Sequence, residues 1–187
     1  MKTVVDPGVP APGQTSRLLI EVLTAAHAHA LHAVLDDARI YRYIEMRRFA
    51  TPAALLAEFA RLVLGPGGQA TDTWLNWALR ERSSARYLGT LQATVSAGNS
   101  AWIGYLLAPS AWGHGFAQEA CRWLVARLAR DYGIKTVRAS VDARNLDSIR
   151  LVRRLGFVHE STEPCELHGV PAIDHHYRLD IRSWLAP

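Results

Sequence analysis

Cysteines and long apolar runs are scarce in this chain, and their scarcity argues against several classes of protein. The 187 residues include two cysteines, Cys121 and Cys165, which have neither a metal-ligand spacing nor the pattern of a disulfide framework. No apolar run approaches the roughly 20 residues that cross a bilayer, and the N-terminus lacks the apolar segment of a secretory signal. We therefore expect a cytoplasmic protein that does not act at a membrane.

The overall composition is that of an ordinary globular domain, with 49% hydrophobic and 20% charged residues. The formal net charge of +4 suits a polyanionic ligand, and it would suit nucleic acid equally. Because the arginines are dispersed and no aromatic-basic motif accompanies them, we expect no nucleic-acid partner. The eight histidines lack a cysteine or carboxylate partner at ligand spacing, so we also expect no metal.

The periodic apolar patterns begin only after the first sixteen residues. Residues 1–16 contain several prolines and glycines without an apolar period, which predicts a flexible N-terminal arm. Residues 17–184 predict one α/β (α+β) domain in which helices flank a mixed, mostly antiparallel central sheet. The strands before and after helix 119–130 run parallel in this prediction, because a helical crossover joins them. Predicted helices cover 25–35, 52–64, 119–130 and a short stretch after Asn145, and predicted strands cover 18–22, 73–79, 87–95, 102–107, 136–141, 158–166 and 175–181.

The most informative segment is the loop 110–117, which joins a predicted strand to an amphipathic helix. Gly113 and Gly115 lack a Cβ, so the backbone there is free to turn successive N–H groups toward one point. The following helix adds unpaired N–H groups and a partial positive charge at its start. The order of strand, loop and helix therefore predicts a diphosphate site, although an ordinary tight turn is the alternative explanation of these glycines.

A second motif follows about thirty residues later, where a short helix begins after Asn145 and ends at Gly156. Asn145 is a good N-cap, and Asp147 suits the first turn of a helix. A glycine suits the position after the last turn. These local signals agree on where the helix begins and ends.

Together the two motifs, with the strand 136–141 between them, resemble the GCN5-related N-acetyltransferase (GNAT) superfamily. Within it, they look most like the ribosomal-protein N-terminal acetyltransferases. The resemblance covers residues 17–184 and implies splayed parallel central strands, with acetyl-coenzyme A bound as a co-substrate and no metal. One departure is Trp112, which stands where the loop usually has Arg or Gln and leaves the backbone cradle unaffected. The residues implied to contact acetyl-coenzyme A are Leu107, Trp112, Gly113, His114, Gly115, Phe116, Ala117, Asn145 and Ser148.

The resemblance also implies catalytic residues. Many family members place a tyrosine seven residues after the asparagine to protonate the leaving thiolate, but Val152 occupies that position here. The ribosomal-protein branch instead has a serine three residues after the asparagine, and Ser148 matches it. That branch also carries a glutamate on the strand after Gly-Phe, for which Glu166 is the predicted base. Glu160 and Glu163 remain alternatives, because a slip of one residue changes the exposed face of a strand.

The implied activity is direct transfer of acetyl from acetyl-coenzyme A to a primary amine. The acceptor is either a protein N-terminal α-amine or a small molecule such as an aminated antibiotic, and a non-catalytic acyl-coenzyme A-binding module is the alternative from another class. Tyr41, Arg42 and Tyr43 are candidates for acceptor contact, with a half-buried connector as the alternative role. A homodimer is a further possibility that the sequence leaves open.

Overall fold

The computed structural model describes residues 10–67 and 71–185, and in this part of the chain eight strands form a single sheet. The strands are β1 Gly13–Gln14, β2 Leu18–Val22, β3 Thr73–Glu81, β4 Tyr87–Ser96, β5 Ser100–Leu107, β6 Thr136–Asp142, β7 Val158–Leu167 and β8 Val170–Asp180. Their spatial order is β1-β2-β3-β4-β5-β6-β8-β7. Every neighbouring pair is antiparallel except β5 and β6, which confirms the predicted mixed, mostly antiparallel sheet.

Helices cover both faces of the sheet. They are α1 His27–Leu35, α2 Pro52–Leu64, α3 Phe116–Tyr132, α4 Leu146–Arg154 and α5 Ile181–Leu185, with short 3₁₀ helices at Ala38–Tyr41 and Pro109–Ala111. The boundaries of α2 follow from local chemistry: Thr51 Oγ1 accepts the N–H of Ala54, Pro52 opens the first turn, and Gly65 ends the helix with a φ of 80°. Among the residues that the structure describes, no helix is both long and apolar enough to cross a membrane.

The two faces of the sheet have separate cores. The face that we call the α3 face packs its buried side chains against α3 and α4, and Ala139 and Tyr177 lie in this cluster. The opposite face, called the α1 face, packs Ala78 and Leu106 against α1 and α2. Because successive side chains of a strand alternate, Ser140 lies on the α1 face.

The central parallel strands pair over only three residues, Ser100–Trp102 with Thr136–Arg138. Beyond this point β5 stays paired with β4, and β6 stays paired with β8, so the facing edges of β5 and β6 separate. We call the gap between these two edges the β5–β6 opening. The N–H of Ala108 binds the carbonyl of Leu88 on β4. By alternation, the backbone groups of Leu107 point away from β4 into the opening. The splay that the family resemblance implied is therefore present.

The predicted flexible arm differs from what the structure shows. Residues 1–9 lie outside the described residues, but Gly13–Gln14 forms strand β1 against β2. The Trp77 indole donates to the carbonyl of Ala11 at 3.0 Å, and Trp77 itself is fully buried. These contacts join the segment to residues far away in the chain and do not require an apolar period within it. The sequence alone therefore predicts a flexible arm.

Candidate functional site

The loop that joins β5 to α3 turns through two glycines with positive φ. Gly113 has a φ of 76° and Gly115 a φ of 78°, backbone values that residues other than glycine rarely adopt, and both residues are exposed. Nothing lies within 4 Å of a Cβ placed at Gly113, so conformation rather than crowding requires glycine there. The N–H groups of residues 113–118 make no hydrogen bond with another described residue. The loop and the first turn of α3 therefore present a run of free donors to solvent.

A hydrogen bond from Trp112 connects this loop to the end of β5. Its indole Nε1 donates to the carbonyl of Leu107 at 2.8 Å, while the side chain remains 44% exposed. That carbonyl faces the opening between the splayed strands, so it is already engaged before any ligand arrives. The residue that departs from the family pattern thus has a structural contact here, and Leu107 is left with its N–H to offer a partner in the opening.

Glu119, in the first turn of α3, anchors the loop from the other side. Its carboxylate accepts hydrogen bonds from the hydroxyls of Thr15 and Ser16, and from the N–H and Nε of Arg17 at 3.0 and 2.6 Å. Burial opposes the charge of this carboxylate, but these donors outweigh it and hold the pKa of Glu119 below its ordinary value. The segment 15–17, which the sequence assigned to the end of an arm and the start of a strand, is therefore bound to the glycine loop.

Arg17 also contacts the loop directly. Its Nη1 donates to the carbonyl of His114 at 2.8 Å, and its guanidinium lies 4.6 Å from the centre of the Phe116 ring. A Cβ placed on Gly115 would lie 3.4 Å from Arg17 Nη2. The Arg17 guanidinium therefore lies beside the free donors of the loop as one half of an ion pair with Glu119. His114 itself is exposed, and its carbonyl is the group that Arg17 holds.

The start of α4 lies across the opening from the loop. Asn145 Oδ1 accepts the N–H of Ser148 at 3.2 Å, which confirms Asn145 as the N-cap. This contact leaves the Asn145 amide nitrogen available to another partner. The Ser148 hydroxyl accepts a hydrogen bond of 2.9 Å from the Tyr105 phenol on β5. The sequence predicts Tyr105 only as part of a strand.

The turn between β6 and α4 is fixed by a buried carboxylate. Asp142 is 3% exposed and accepts three hydrogen bonds from Arg144, from its N–H at 2.8 Å, its Nε at 2.9 Å and its Nη2 at 2.6 Å. The side-chain bonds from Arg144 lower the pKa of Asp142 against the opposing effect of burial. In the same turn, the N–H of Ala143 donates to the carbonyl of Ile173 on β8 at 2.8 Å. This turn therefore lies against the β7–β8 hairpin.

The segment 41–43 divides between core and surface. Tyr41 is buried, donates its hydroxyl to the carbonyl of Leu35 at 3.0 Å, and has its pKa raised to about 12 by that burial. It packs in the core of the α1 face, so its side chain takes the structural alternative rather than the predicted acceptor contact. Arg42 is exposed with its guanidinium 5.0 Å from the Tyr43 ring centre. These two side chains remain the candidates for acceptor contact.

The β7–β8 hairpin meets the same segment at its tip. The ring of His168, in the turn, lies 3.2 Å from the carbonyl of Tyr41 through Nε2. Asp174 on β8 accepts the Ser140 hydroxyl at 2.9 Å. The hairpin, the turn before α4 and the segment 41–43 thus border one region on the α1 face of the opening.

The three candidate glutamates of β7 occupy different places. Glu160 Oε2 binds Arg138 Nε at 3.1 Å, and Glu163 Oε2 lies 3.4 Å from His176 Nε2. Glu163 is paired across the hairpin with Asp174, so it shares the α1 face with that carboxylate. Glu166 is paired with Pro171 near the turn. Because it lies three residues from Glu163 in a regular stretch of strand, its side chain points to the other face.

Other ligand types find little support in the described ranges, 10–67 and 71–185. No group of three or more histidine, cysteine, aspartate or glutamate side chains there is arranged to hold a metal ion. Cys121 is fully buried in α3, and burial raises the pKa of its thiol to about 12, so it is not a nucleophile at neutral pH. The loop, the opening and the start of α4 are the features that form a site.

Comparison with known proteins places this geometry in a family. The family described as acetyltransferase (GNAT) domain matches residues 17–158, well over half of the chain. An uncharacterized N-acetyltransferase of Bacillus subtilis, YoaA, is 26% identical over 152 residues, which cover 79% of this chain and 82% of that protein.

Solved structures share the fold. A spermidine N-acetyltransferase from Vibrio cholerae, in complex with coenzyme A and spermine, superimposes with a TM-score of 0.77 at 15% identity, covering 92% of this chain and 100% of the other. The ribosomal L7/L12 alpha-N-protein acetyltransferase RimL superimposes with a TM-score of 0.78 at 17% identity, covering 89% and 91%. With the family match over residues 17–158 and the splayed strands, glycine loop and capped α4 in place, this chain belongs to the GNAT acetyltransferase family.

Proposed function

We propose that the chain transfers acetyl from acetyl-coenzyme A to the primary amine of a protein N-terminus or of a small molecule, with Ser148 assisting departure of the thiolate. The observation that carries this proposal is the run of unpaired N–H donors at residues 113–118, in the loop that follows β5 where β5 and β6 have separated. Family membership supports acetyl transfer, and the amine acceptor and residue roles are the steps added here.

The residues of the loop fit a diphosphate. Exposed N–H groups at a helix start bind anions through hydrogen bonds and the helix dipole, and the Arg17 guanidinium, paired with Glu119, lies beside Gly115 as a further hydrogen-bond donor. The opening beyond Trp102 fits an extended chain with amide groups, because the facing edges of β5 and β6 carry unpaired backbone donors and acceptors. The Asn145 amide nitrogen and the Leu107 N–H are the groups that we assign to that chain.

When bound, acetyl-coenzyme A supplies a thioester whose carbonyl carbon accepts the amine nitrogen and whose thiolate leaves. Ser148 belongs to α4, so we place its hydroxyl beside the sulfur as a hydrogen-bond donor to the charge that develops there. The loop and the opening act by positioning, which turns a bimolecular encounter into a reaction between held groups. No covalent bond to the protein is required by this scheme.

The acceptor enters, in this proposal, from the α1 face, because α3 and α4 cover the other side of the opening. Carboxylates of the β7–β8 hairpin attract an ammonium group and take its proton. Glu163 and Asp174 lie on the α1 face, from which the acceptor enters in this proposal, so we assign that role to them. Glu166 stays a prediction from the family resemblance, with its side chain directed to the opposite face.

Two acceptor classes have specific support. A protein α-amine has an unperturbed pKa of about 7.7–8.0, so an appreciable fraction is already a free base at neutral pH, and the RimL neighbour acts on such a group. A small polyamine is the second class, because the V. cholerae neighbour was solved with spermine and hairpin carboxylates favour a cation. We propose the ribosomal-protein-like branch with the α-amine as the first acceptor to test.

The test measures coenzyme A thiol release with acetyl-coenzyme A and a panel of acceptors: peptides with a free N-terminus, the same peptides with a blocked N-terminus and internal lysine, and spermidine. We expect amine-dependent release and an acetylated product by mass spectrometry, with the free N-terminal peptides preferred. Binding of acetyl-coenzyme A without release by any amine would favour the non-catalytic module. Absence of binding would remove the proposal altogether.

A further inference from the structure

Tyr105 is a polar side chain at the opening whose contact the sequence did not reveal. Its hydroxyl donates to Ser148 Oγ at 2.9 Å, joining β5 to α4 across 43 positions in the chain. The ring packs against the core of the α3 face and is half-buried. Because the contact joins distant elements, the fold itself brings these two hydroxyls together.

The position of Tyr105 relates it to the reaction path. It lies beyond Trp102, where β5 and β6 have parted, so its backbone borders the opening while its side chain reaches α4. Two residues from Leu107, it has the same alternation and also points its backbone groups away from β4. The phenol therefore connects the strand that borders the opening to Ser148 on α4.

We propose that Tyr105 is a positioning residue that orients the Ser148 hydroxyl toward the sulfur of the bound thioester. The inference rests on the role given to Ser148 under the proposed function. A serine oxygen that accepts a hydrogen bond keeps its own proton for another acceptor. In a chain of two hydroxyls each hydrogen bond polarises the next, which strengthens the final donor.

The chemistry balances without proton loss from either hydroxyl. The C–N bond forms, the C–S bond breaks, and its electron pair moves to sulfur, which leaves as a thiolate. The surplus proton of the amine passes to an acceptor-side carboxylate or to water. Burial and the neighbouring Cys121 raise the pKa of Tyr105 above its ordinary value, so the phenol stays protonated and remains a donor throughout an ordinary assay range.

The first experiment compares Tyr105→Phe with wild type and with Tyr87→Phe. Phenylalanine keeps the ring in the core and removes only the hydroxyl. Tyr87 is a matched control, because its hydroxyl also makes a 2.9 Å hydrogen bond, to Glu21 on β2. We expect Tyr105→Phe to lower kcat about three- to tenfold, as the loss of one neutral hydrogen bond predicts, with an unchanged KM for acetyl-coenzyme A. Tyr87→Phe should match wild type.

The second experiment has a readout that does not depend on turnover. The pKa of the thiol in bound coenzyme A is measured from the ultraviolet absorbance of its thiolate as pH is varied. A donor chain directed at sulfur lowers that pKa, so Tyr105→Phe should raise it by about half to one unit relative to wild type. Ser148→Ala, with Tyr105 intact, should raise it at least as much and serves as the second variant if Tyr105→Phe folds poorly.

A double-mutant comparison completes the test. In the Ser148→Ala background, Tyr105→Phe should lower kcat no further, because the two hydroxyls act through one donor. Additive losses, or a thiol pKa in bound coenzyme A that neither variant changes, would overturn the inference. Failure of the proposed function is distinguishable, since wild type would then show no coenzyme A binding or no amine-dependent release.

Discussion

The two sides of the β5–β6 opening are built by different means. On the side of α3 and α4, two short-range signals form the site: positive-φ glycines directly before the start of α3, and an asparagine cap at the start of α4. On the other side, the segment 41–43 and the turn before α4 each meet the β7–β8 hairpin only through the tertiary fold. Local chemistry thus forms the turns and caps of the proposed donor side, which Glu119 then attaches to residues 15–17, whereas the proposed acceptor side depends throughout on strand register and tertiary contacts.

This difference has a functional consequence. A backbone cradle serves any ligand with the same diphosphate, so the α3 side can stay constant while acceptors change. In the proposed scheme, side chains on the α1 face determine which amine is accepted, because they supply the charges and the bulk that an acceptor meets. Substitutions on the two sides should therefore separate donor affinity from turnover and acceptor choice.

The largest effect is expected at Ser148. We predict that Ser148→Ala lowers kcat on the order of a hundredfold with little change in acetyl-coenzyme A affinity, because the hydroxyl acts on charge that develops only in the transition state. Steady-state kinetics and calorimetric titration measure the two quantities. Ser148→Thr keeps a hydroxyl and should recover part of the rate. Wild-type turnover in the alanine variant would leave Ser148 with a helix-start role alone.

The carboxylates of β7 come next. If Glu163 takes the amine proton, Glu163→Gln should lower the rate about tenfold, most strongly at low pH where the amine is mainly protonated. A pH–rate profile of wild type, Glu163→Gln and Glu166→Gln with one acceptor separates the two faces of the strand. A selective loss in Glu166→Gln would restore the residue that the family resemblance favoured and refute the assignment by register.

A smaller effect is expected at Trp112. Trp112→Phe removes the donor to the Leu107 carbonyl, so the loop loses one attachment to β5. Coenzyme A affinity should fall about three- to tenfold, the range for one neutral hydrogen bond, without a change in kcat. Trp74→Phe, on β3, is the matched control and should bind normally. An affinity equal to wild type in the Trp112 variant would show that the indole does not support the cradle.

Glu119 links the donor side to the stability of the fold. Glu119→Gln weakens four charge-assisted contacts and should lower the free energy of unfolding on the order of 1–2 kcal/mol. Since the folded-state pKa is depressed, this contribution is present above the unfolded pKa and disappears as pH falls through the folded pKa. Urea unfolding at neutral and acidic pH checks both points. Glu58→Gln, which breaks an i,i+3 pair on α2, should cost less.

The same contrast shows how far the sequence alone was informative. Helix caps at Thr51 and Asn145 and the glycine loop were predictable because each depends on residues close together in the chain, and the parallel pair was predictable because a helical crossover joins its two strands. Attachment of residues 15–17 to Glu119 was not, since it joins positions more than 100 apart. The register of β7 was not predictable either. This strand has a bulge at His159–Ser161 that no local sequence pattern indicates, and the bulge helps to determine the face on which each glutamate lies.

Coenzyme A binding to Gly115→Val and Gly98→Val tests the backbone cradle most directly. Both glycines are exposed with positive φ, 78° and 81°, so valine imposes a similar strain of about 1–3 kcal/mol at each site, but Gly98 lies in the β4–β5 turn away from the loop. Calorimetric titration should show affinity reduced at least about tenfold in Gly115→Val and unchanged in Gly98→Val, with both proteins folded. Equal affinity in the two variants would contradict the account.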